Sequence, residues 1–242
     1  IASAMAASSV PTLTASFVEK DMERVKSQIA AAIRFVMIIA FPCTVGLTVL
    51  AKPIFVMLFP GTSATADIAA TMMLWGSSAV IFYALSTLSN GLLQGIDRLK
   101  VPVINAVIAL VAHVILLVLL MMFFRLNIYA VVVANVFFAL LMCILNSRAL
   151  TKYSGYHQEI KKTFLIPLIC SLIMGVITYF VYKGLYALCK INSVAAIVAI
   201  LVAVIVYAVT LLLLKGVNEE DLLGFPKGTL LVRIAKSLHL LR

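Results

Sequence analysis

Five polar side chains recur across residues 86–113: Ser86, Asn90 and Gln94 stand four apart, and Asn105 and His113 stand eight apart. On a helix each set falls on one side, and Thr87, Gly91 and Gly95 form a neighbouring row of small residues. Hydroxyls, amides and a neutral imidazole both donate and accept hydrogen bonds without carrying fixed charge. Grouped on one face, they suit either a bonded contact between helices or the lining of a hydrated cavity. Around them, LSNGLLQGIDRLKVPVIN at 88–105 also gathers Asp97, Arg98, Lys100 and Pro102. These four read as a water-exposed turn followed by a proline in the first turn of a helix, where its missing N–H costs little.

The elements that hold these groups are set by composition. Hydrophobic residues make up 64% of the 242 and charged residues 12%, against about 45–50% and about 25% in soluble domains. Mean hydropathy is +1.17. Hydrocarbon offers no partner to a bare peptide group, so spanning segments must be helices or a closed barrel. The apolar runs are unbroken and near the length of about 20 residues that crosses a bilayer, whereas barrel strands alternate over about ten. The predicted segments are 1–18, which is rich in Ser and Thr, then 29–51, 66–95, 101–124, 127–150, 162–188 and 193–214. The expected fold class is all-α, a polytopic membrane bundle of about seven helices.

If the odd-numbered loops face the cytoplasm, that side holds fifteen of the 19 Lys and Arg residues and the other side holds Lys52, Arg125, Lys183 and Lys190. This positive-inside asymmetry predicts a multi-pass protein with a cytoplasmic C-terminus. It also assigns the net charge of +10 to topology and to contact with membrane lipids of negative charge, with no need of nucleic acid. Cys43, Cys143, Cys170 and Cys189 have neither metal nor redox spacing. Two stretches are amphipathic without spanning. Near 17–34, Val18, Met22, Val25, Ile29 and Ile33 form a stripe, and in the tail at 215–242 Leu230, Ile234, Leu238 and Leu241 form another. Both read as interfacial helices that anchor the chain to the surface. The expected organisation is a partial transporter bundle over 1–150, two additional helices over 151–214 and the amphipathic tail. Ile1 with no basic segment before it is the start expected of a partial chain.

For each polar group a packing role stands beside a cavity role. Gly91 and Gly95 form a GxxxG pair of the kind that lets backbones approach, and Asn or Gln can bond across such a contact for about 0.6–2 kcal/mol. A charge on His113, in mid-span, would cost several kcal/mol, so it is either a satisfied neutral imidazole or a cavity group that meets a phosphate or passes a proton. Asn135 and Asn146 are weaker candidates, since single amides often bridge helices. No Asp or Glu lies deep in a span, which disfavours a carboxylate-based ion site. No phosphate loop, no paired acidic motif for magnesium and no plausible triad is encoded, so neither enzyme activity nor a cofactor is expected.

LLQGIDRLKVPVINAVIA at 92–109 and LNIYAVVVANVFFALLMCILNSRAL at 126–150 resemble the carboxyl-terminal half of the MOP (MATE-like) flippase superfamily, most nearly the stage V sporulation protein B type of polysaccharide biosynthesis protein. VPTLTASFVEKDMERVKSQIAAAIRF at 10–35, AKPIFVMLF at 51–59 and EEDLLGFPKGTLLVRIAKSLHLL at 219–241 fit the same pattern. The resemblance implies the second lobe of a V-shaped transporter in a bacterial plasma membrane, flipping undecaprenyl-linked sugars, lipid II among them, by alternating access. It also implies a missing amino-terminal half as partner. Only the motif around Asn90, Gln94 and Asn105 carries over; His113 stands where many relatives have Lys, and Ala130 where they have Gly. Ser86, Asn90, Gln94, Asn105 and His113 are the candidate cavity lining. The rival readings are a cation-coupled multidrug exporter of the MATE type and a membrane scaffold that transports nothing.

Overall fold

The computed structural model describes residues 1–61, 65–214 and 216. The chain is helical at each expected segment. In order the helices are α1 (Ala2–Val18), α2 (Met22–Val49), α3 (Ala51–Leu58), α4 (Ala66–Ser77), α5 (Ala79–Gly95), α6 (Lys100–Met122), α7 (Ile128–Ser154), α8 (Ile166–Cys189) and α9 (Asn192–Leu213), with a π-helical turn at Lys161–Leu165 leading into α8. Among the described residues, five spans are long and apolar enough to cross a membrane: α2, α6, α7, α8 with its π turn, and α9. Taken together as one broken span, the bent pair α4 and α5 makes a sixth. The bend of 42° falls at Gly76-Ser77-Ser78. There the Ser77 and Ser78 hydroxyls donate to the carbonyls of Leu74 and Trp75 at 2.7 and 2.9 Å and compete with the helix ladder.

The helices form two compact units, Ile1–Ala40 with Thr71–Gln158, and Phe41–Ala70 with the residues from Glu159 on. Residues 151–158 thus fall with the first unit and 41–70 with the second. The tail expected at 215–242 lies outside the described residues, Gly216 apart.

In the first unit α1 packs on α5, α5 on α7 and α7 on α6. α1 and α5 come close because their contact is made of small residues. A Cβ on Gly91 would stand 2.6 Å from the Ala6 Cβ and 3.3 Å from its Cα, and one on Gly95 would stand 3.0 Å from a Leu13 methyl. Thr14 Oγ1 lies 2.9 Å from the Gly95 carbonyl and 2.8 Å from that of Val10, and its one proton is shared between these two acceptors. Ser8, Thr12 and Ser16 return their hydroxyls to carbonyls of their own helix, which lets a Ser- and Thr-rich segment stay helical in an apolar setting.

The stretch expected as an interfacial helix near 17–34 is divided between two elements. α1 ends at Val18, Lys20 adopts a left-handed turn with φ of 61°, and α2 starts at Met22 and continues to Val49. Of the apolar stripe expected there, Val25, Ile29 and Ile33 are fully buried, Met22 is half-buried and Val18 is exposed. Burial against protein satisfies the same stripe that a membrane surface would. By contrast α6 exposes Val103, Val107, Val111, Val114 and Val118, the pattern of a helix that faces lipid.

In the second unit α8 packs on α9 and α3 on α9. Ala195, Ala196, Ala199 and Ala203 of α9 and Ser171, Gly175 and Thr178 of α8 are buried, the small-residue contact that membrane helices use where hydrophobic driving force is lacking. Asn192 ties three helices: its Nδ2 donates to the Pro53 carbonyl at 2.9 Å, and its Oδ1 accepts from the Tyr182 hydroxyl at 2.8 Å. Lys52 on α3 pairs with Asp67 at 2.6 Å, and the hydrogen bond and charge of that carboxylate raise the ammonium above the ordinary lysine value.

Two outcomes follow. Gly91→Ala lowers the unfolding free energy of the full chain in detergent by about 1–3 kcal/mol, the range for overpacking a tight contact, whereas Gly46→Ala, where a Cβ meets nothing within 4 Å, does not lower it. The Lys52 ammonium, followed by NMR, titrates above a free lysine, and Asp67→Asn returns it to the ordinary value. Any stabilisation from the pair is present below the unfolded lysine pKa and disappears as pH rises through the folded one.

Candidate functional site

The site lies where α5, α6 and α7 meet in the first unit. The turn at 96–99 joins α5 to α6, so Asn90, five residues before the end of α5, and Asn105, five residues into α6, fall at one depth. That depth is about 7.5 Å from the turn at a rise of 1.5 Å per residue. α7 brings Asn146 to the same level. Asn105 Nδ2 donates to Asn146 Oδ1 at 2.9 Å, and Asn146 Nδ2 donates to Asn90 Oδ1 at 2.6 Å and, more weakly, to the Ser86 carbonyl at 3.4 Å. Three side-chain amides thus form a directed chain across three helices, each bond polarising the next. Asn146 is fully buried and Asn90 and Asn105 are half-buried.

Toward the far ends of α5 and α7 a second layer joins the same helices. His113 Nδ1 lies 2.9 Å from the Ala134 carbonyl of α7. A carbonyl can only accept, so Nδ1 carries the proton of this contact, and in the neutral tautomer that leaves Nε2 as an acceptor. The imidazole meets Phe138 edge-on at 5.8 Å, and Phe138 in turn lies 6.3 Å from Tyr83 of α5. His113 is half-buried.

Of the five residues singled out by sequence, four are drawn into these layers. Asn90 and Asn105 meet through Asn146, Ser86 is buried beside them with its hydroxyl returned to the Tyr83 carbonyl at 3.1 Å, and His113 holds the layer beyond. Gln94 is different: it is exposed, one helical turn along α5 from Asn90. The neighbouring row of Gly91 and Gly95 faces α1, the packing role considered for it. The residue underrated by sequence reasoning is Asn146, the centre of the network. It lies on the buried row Ala139, Cys143, Asn146 and Leu150, whose spacing of four, three and four marks an inward stripe. Counting depth from the helix ends would have paired it with Asn90 and Asn105. Asn135 is exposed and takes no part.

The arrangement is that of a polytopic membrane protein whose spans are joined by internal hydrogen bonds, with one exposed amide beside a bonded seam. The chain belongs to the family described as lipid II flippase MurJ, whose model matches residues 1–218. This family lies within the MOP flippase superfamily that the sequence motifs resemble. Among curated proteins it is similar to the lipid II flippase MurJ of Bacillus subtilis (strain 168), with 26% identity over 178 residues, which are 73% of this chain and 32% of the relative. The chain therefore spans about a third of the length of that protein.

The seam makes a quantitative expectation. Asn146→Ala strands two amides and lowers stability in detergent by about 1–3 kcal/mol. A double-mutant cycle between Asn105→Ala and Asn146→Ala gives a coupling of about 0.6–1.7 kcal/mol, while a cycle between Gln94→Ala and Asn146→Ala gives a coupling near zero.

Proposed function

We propose that this chain is the carboxyl-terminal part of a flippase that moves a lipid-linked cell-wall precursor, lipid II, across the bacterial plasma membrane by alternating access. The family match over residues 1–218 carries this reading. The polar head of such a substrate, sugars on a diphosphate, cannot cross hydrocarbon unaided, because each unsatisfied polar group there costs several kcal/mol. A hydrated groove removes that barrier while the polyprenyl tail stays in lipid.

The geometry supports a division of labour in one wall of the groove. Asn90, Asn105, Asn146 and the backbone of Ser86 hold α5, α6 and α7 together, so the wall moves as a body. Gln94 and the Nε2 of His113 are the groups that exchange hydrogen bonds with the head: Gln94 because it is exposed, and Nε2 because its partner nitrogen is committed to Ala134. Sugar hydroxyls both donate and accept, so an amide and a neutral imidazole can bind and release them at low net cost. The amino-terminal transporter half supplies the opposing wall, and the side rich in Lys and Arg, with the C-terminus, faces the cytoplasm.

The test is translocation of lipid II in vesicles by the protein from the complete reading frame. Gln94→Ala and His113→Ala each reduce the rate about five- to tenfold, the equivalent of about 1–1.4 kcal/mol for one hydrogen bond. Failure of the intact protein to translocate overturns the flippase reading. Translocation at full rate by both variants overturns the assignment of these two residues.

A further inference from the structure

At the end of the first unit marked by the turn at 96–99, two cations share one aromatic ring. The Arg98 guanidinium carbon stands 4.5 Å and the Lys152 ammonium 5.5 Å from the centroid of Tyr153. The ring attracts each, but the cations repel one another. Lys100 and Arg148 flank them, the latter one helical turn before Lys152 on α7 and thus on the same side. All four cations are exposed, and none has an ion pair among the described residues. Asp97, in the same turn, adopts a left-handed conformation with φ of 57° and pairs with none of them. The cluster is therefore an uncompensated positive field around a half-buried ring.

What lies beside it indicates the occupant. Leu99, between Arg98 and Lys100 in sequence, is 60% exposed, and Val103, one turn into α6, is 63% exposed. They begin the apolar face that runs the length of α6. Cations thus sit at the rim of a lipid-facing surface, where the phosphate of a phospholipid falls when its acyl chains lie along Val103 and Val107.

We propose that Arg98, Lys152 and Tyr153, with Lys100 and Arg148, form a binding site for the headgroup phosphate of an anionic phospholipid. The planar guanidinium meets two phosphate oxygens side by side, Lys152 adds a point charge, and the anion between them removes their repulsion. Tyr153 holds both cations in place before the lipid arrives. The acyl chains on α6 distinguish this ligand from free phosphate, which gains nothing from Leu99 and Val103.

The experiment is native mass spectrometry of the full chain in neutral detergent, titrated with phosphatidylglycerol, with phosphatidylcholine of the same chain length, or with inorganic phosphate. The expected result is tighter binding of phosphatidylglycerol than of phosphatidylcholine, with no competition from phosphate at equal concentration. Arg98→Gln and Lys152→Gln each weaken phosphatidylglycerol binding about fivefold, the factor that corresponds to about 1 kcal/mol per cation near a membrane surface. Lys183→Gln serves as control: Lys183 lies on a single ring, 4.6 Å from the Tyr179 centroid, and its loss leaves phosphatidylglycerol binding unchanged. Equal binding of the two lipids, effective competition by free phosphate, or an equal loss in Lys183→Gln overturns the proposal. The substituted residues are exposed, and an unaltered circular dichroism spectrum confirms that a loss of binding is not a loss of fold.

Discussion

A side-chain amide carried into hydrocarbon must find partners on other helices, and in this protein that requirement falls on Asn146. Fully buried on α7, it accepts from Asn105 and donates to Asn90. Stranding such an amide costs about 1–3 kcal/mol. The bonds fix the depth and rotation of α5, α6 and α7 at once, since each Asn reaches Asn146 from a different helix. His113 and the Ala134 carbonyl repeat the logic one layer on, with Phe138 filling the space between. A pair of layers resists rotation better than one, because turning α6 to free Asn105 also breaks the imidazole contact.

Packing elsewhere follows from the absence of a hydrophobic drive between helices in lipid. Where backbones approach, side chains are small: Gly91 against Ala6, Gly175 against Val45, and the alanine row of α9. Along α6, by contrast, large apolar side chains such as Val103, Ile104, Val107 and Leu110 are exposed. The usual soluble arrangement, bulky apolar residues inside, holds for the stripe of α2 at Val25, Ile29, Ile33 and Met37 and for Leu13, Leu88, Leu92, Leu93 and Leu150 of α1, α5 and α7. Small residues, and hydroxyls such as those of Ser171 and Thr178 returned to carbonyls of their own helix, fill in around them.

Much of this was legible before any coordinates. Apolar run length located α6, α7, α8 and α9 to within a few residues, because the bilayer fixes how long such a run must be. The GxxxG pair of α5 packs as its type suggests. What sequence alone did not decide was the use of amphipathic or polar faces, since a stripe such as Val25, Ile29 and Ile33 fits a membrane surface and a protein interior equally well. The same ambiguity governed the amides. Spacing grouped Ser86, Asn90 and Gln94 as one face, yet a rotation of the kind that separates neighbouring turns sends Asn90 into the seam and leaves Gln94 outside. Asn146 was underrated because the inward row it lies on does not say what an amide there will meet; its meaning comes from depth shared with residues 41 and 56 positions away. The bend at Ser77 and Ser78, a competition between hydroxyls and the helix ladder, was likewise hidden within one long apolar run.

The account rests on a dry, bonded seam with a wet amide beside it. Thiol accessibility measures that contrast directly. With Cys43, Cys143, Cys170 and Cys189 replaced, single cysteines at positions 90, 94 and 146 of the complete membrane-embedded protein are exposed to a charged maleimide that cannot enter lipid or packed protein. The predicted result is rapid modification in Gln94→Cys and protection in Asn90→Cys and Asn146→Cys. Modification of Asn146→Cys at the rate of Gln94→Cys, or protection of all three, would contradict it.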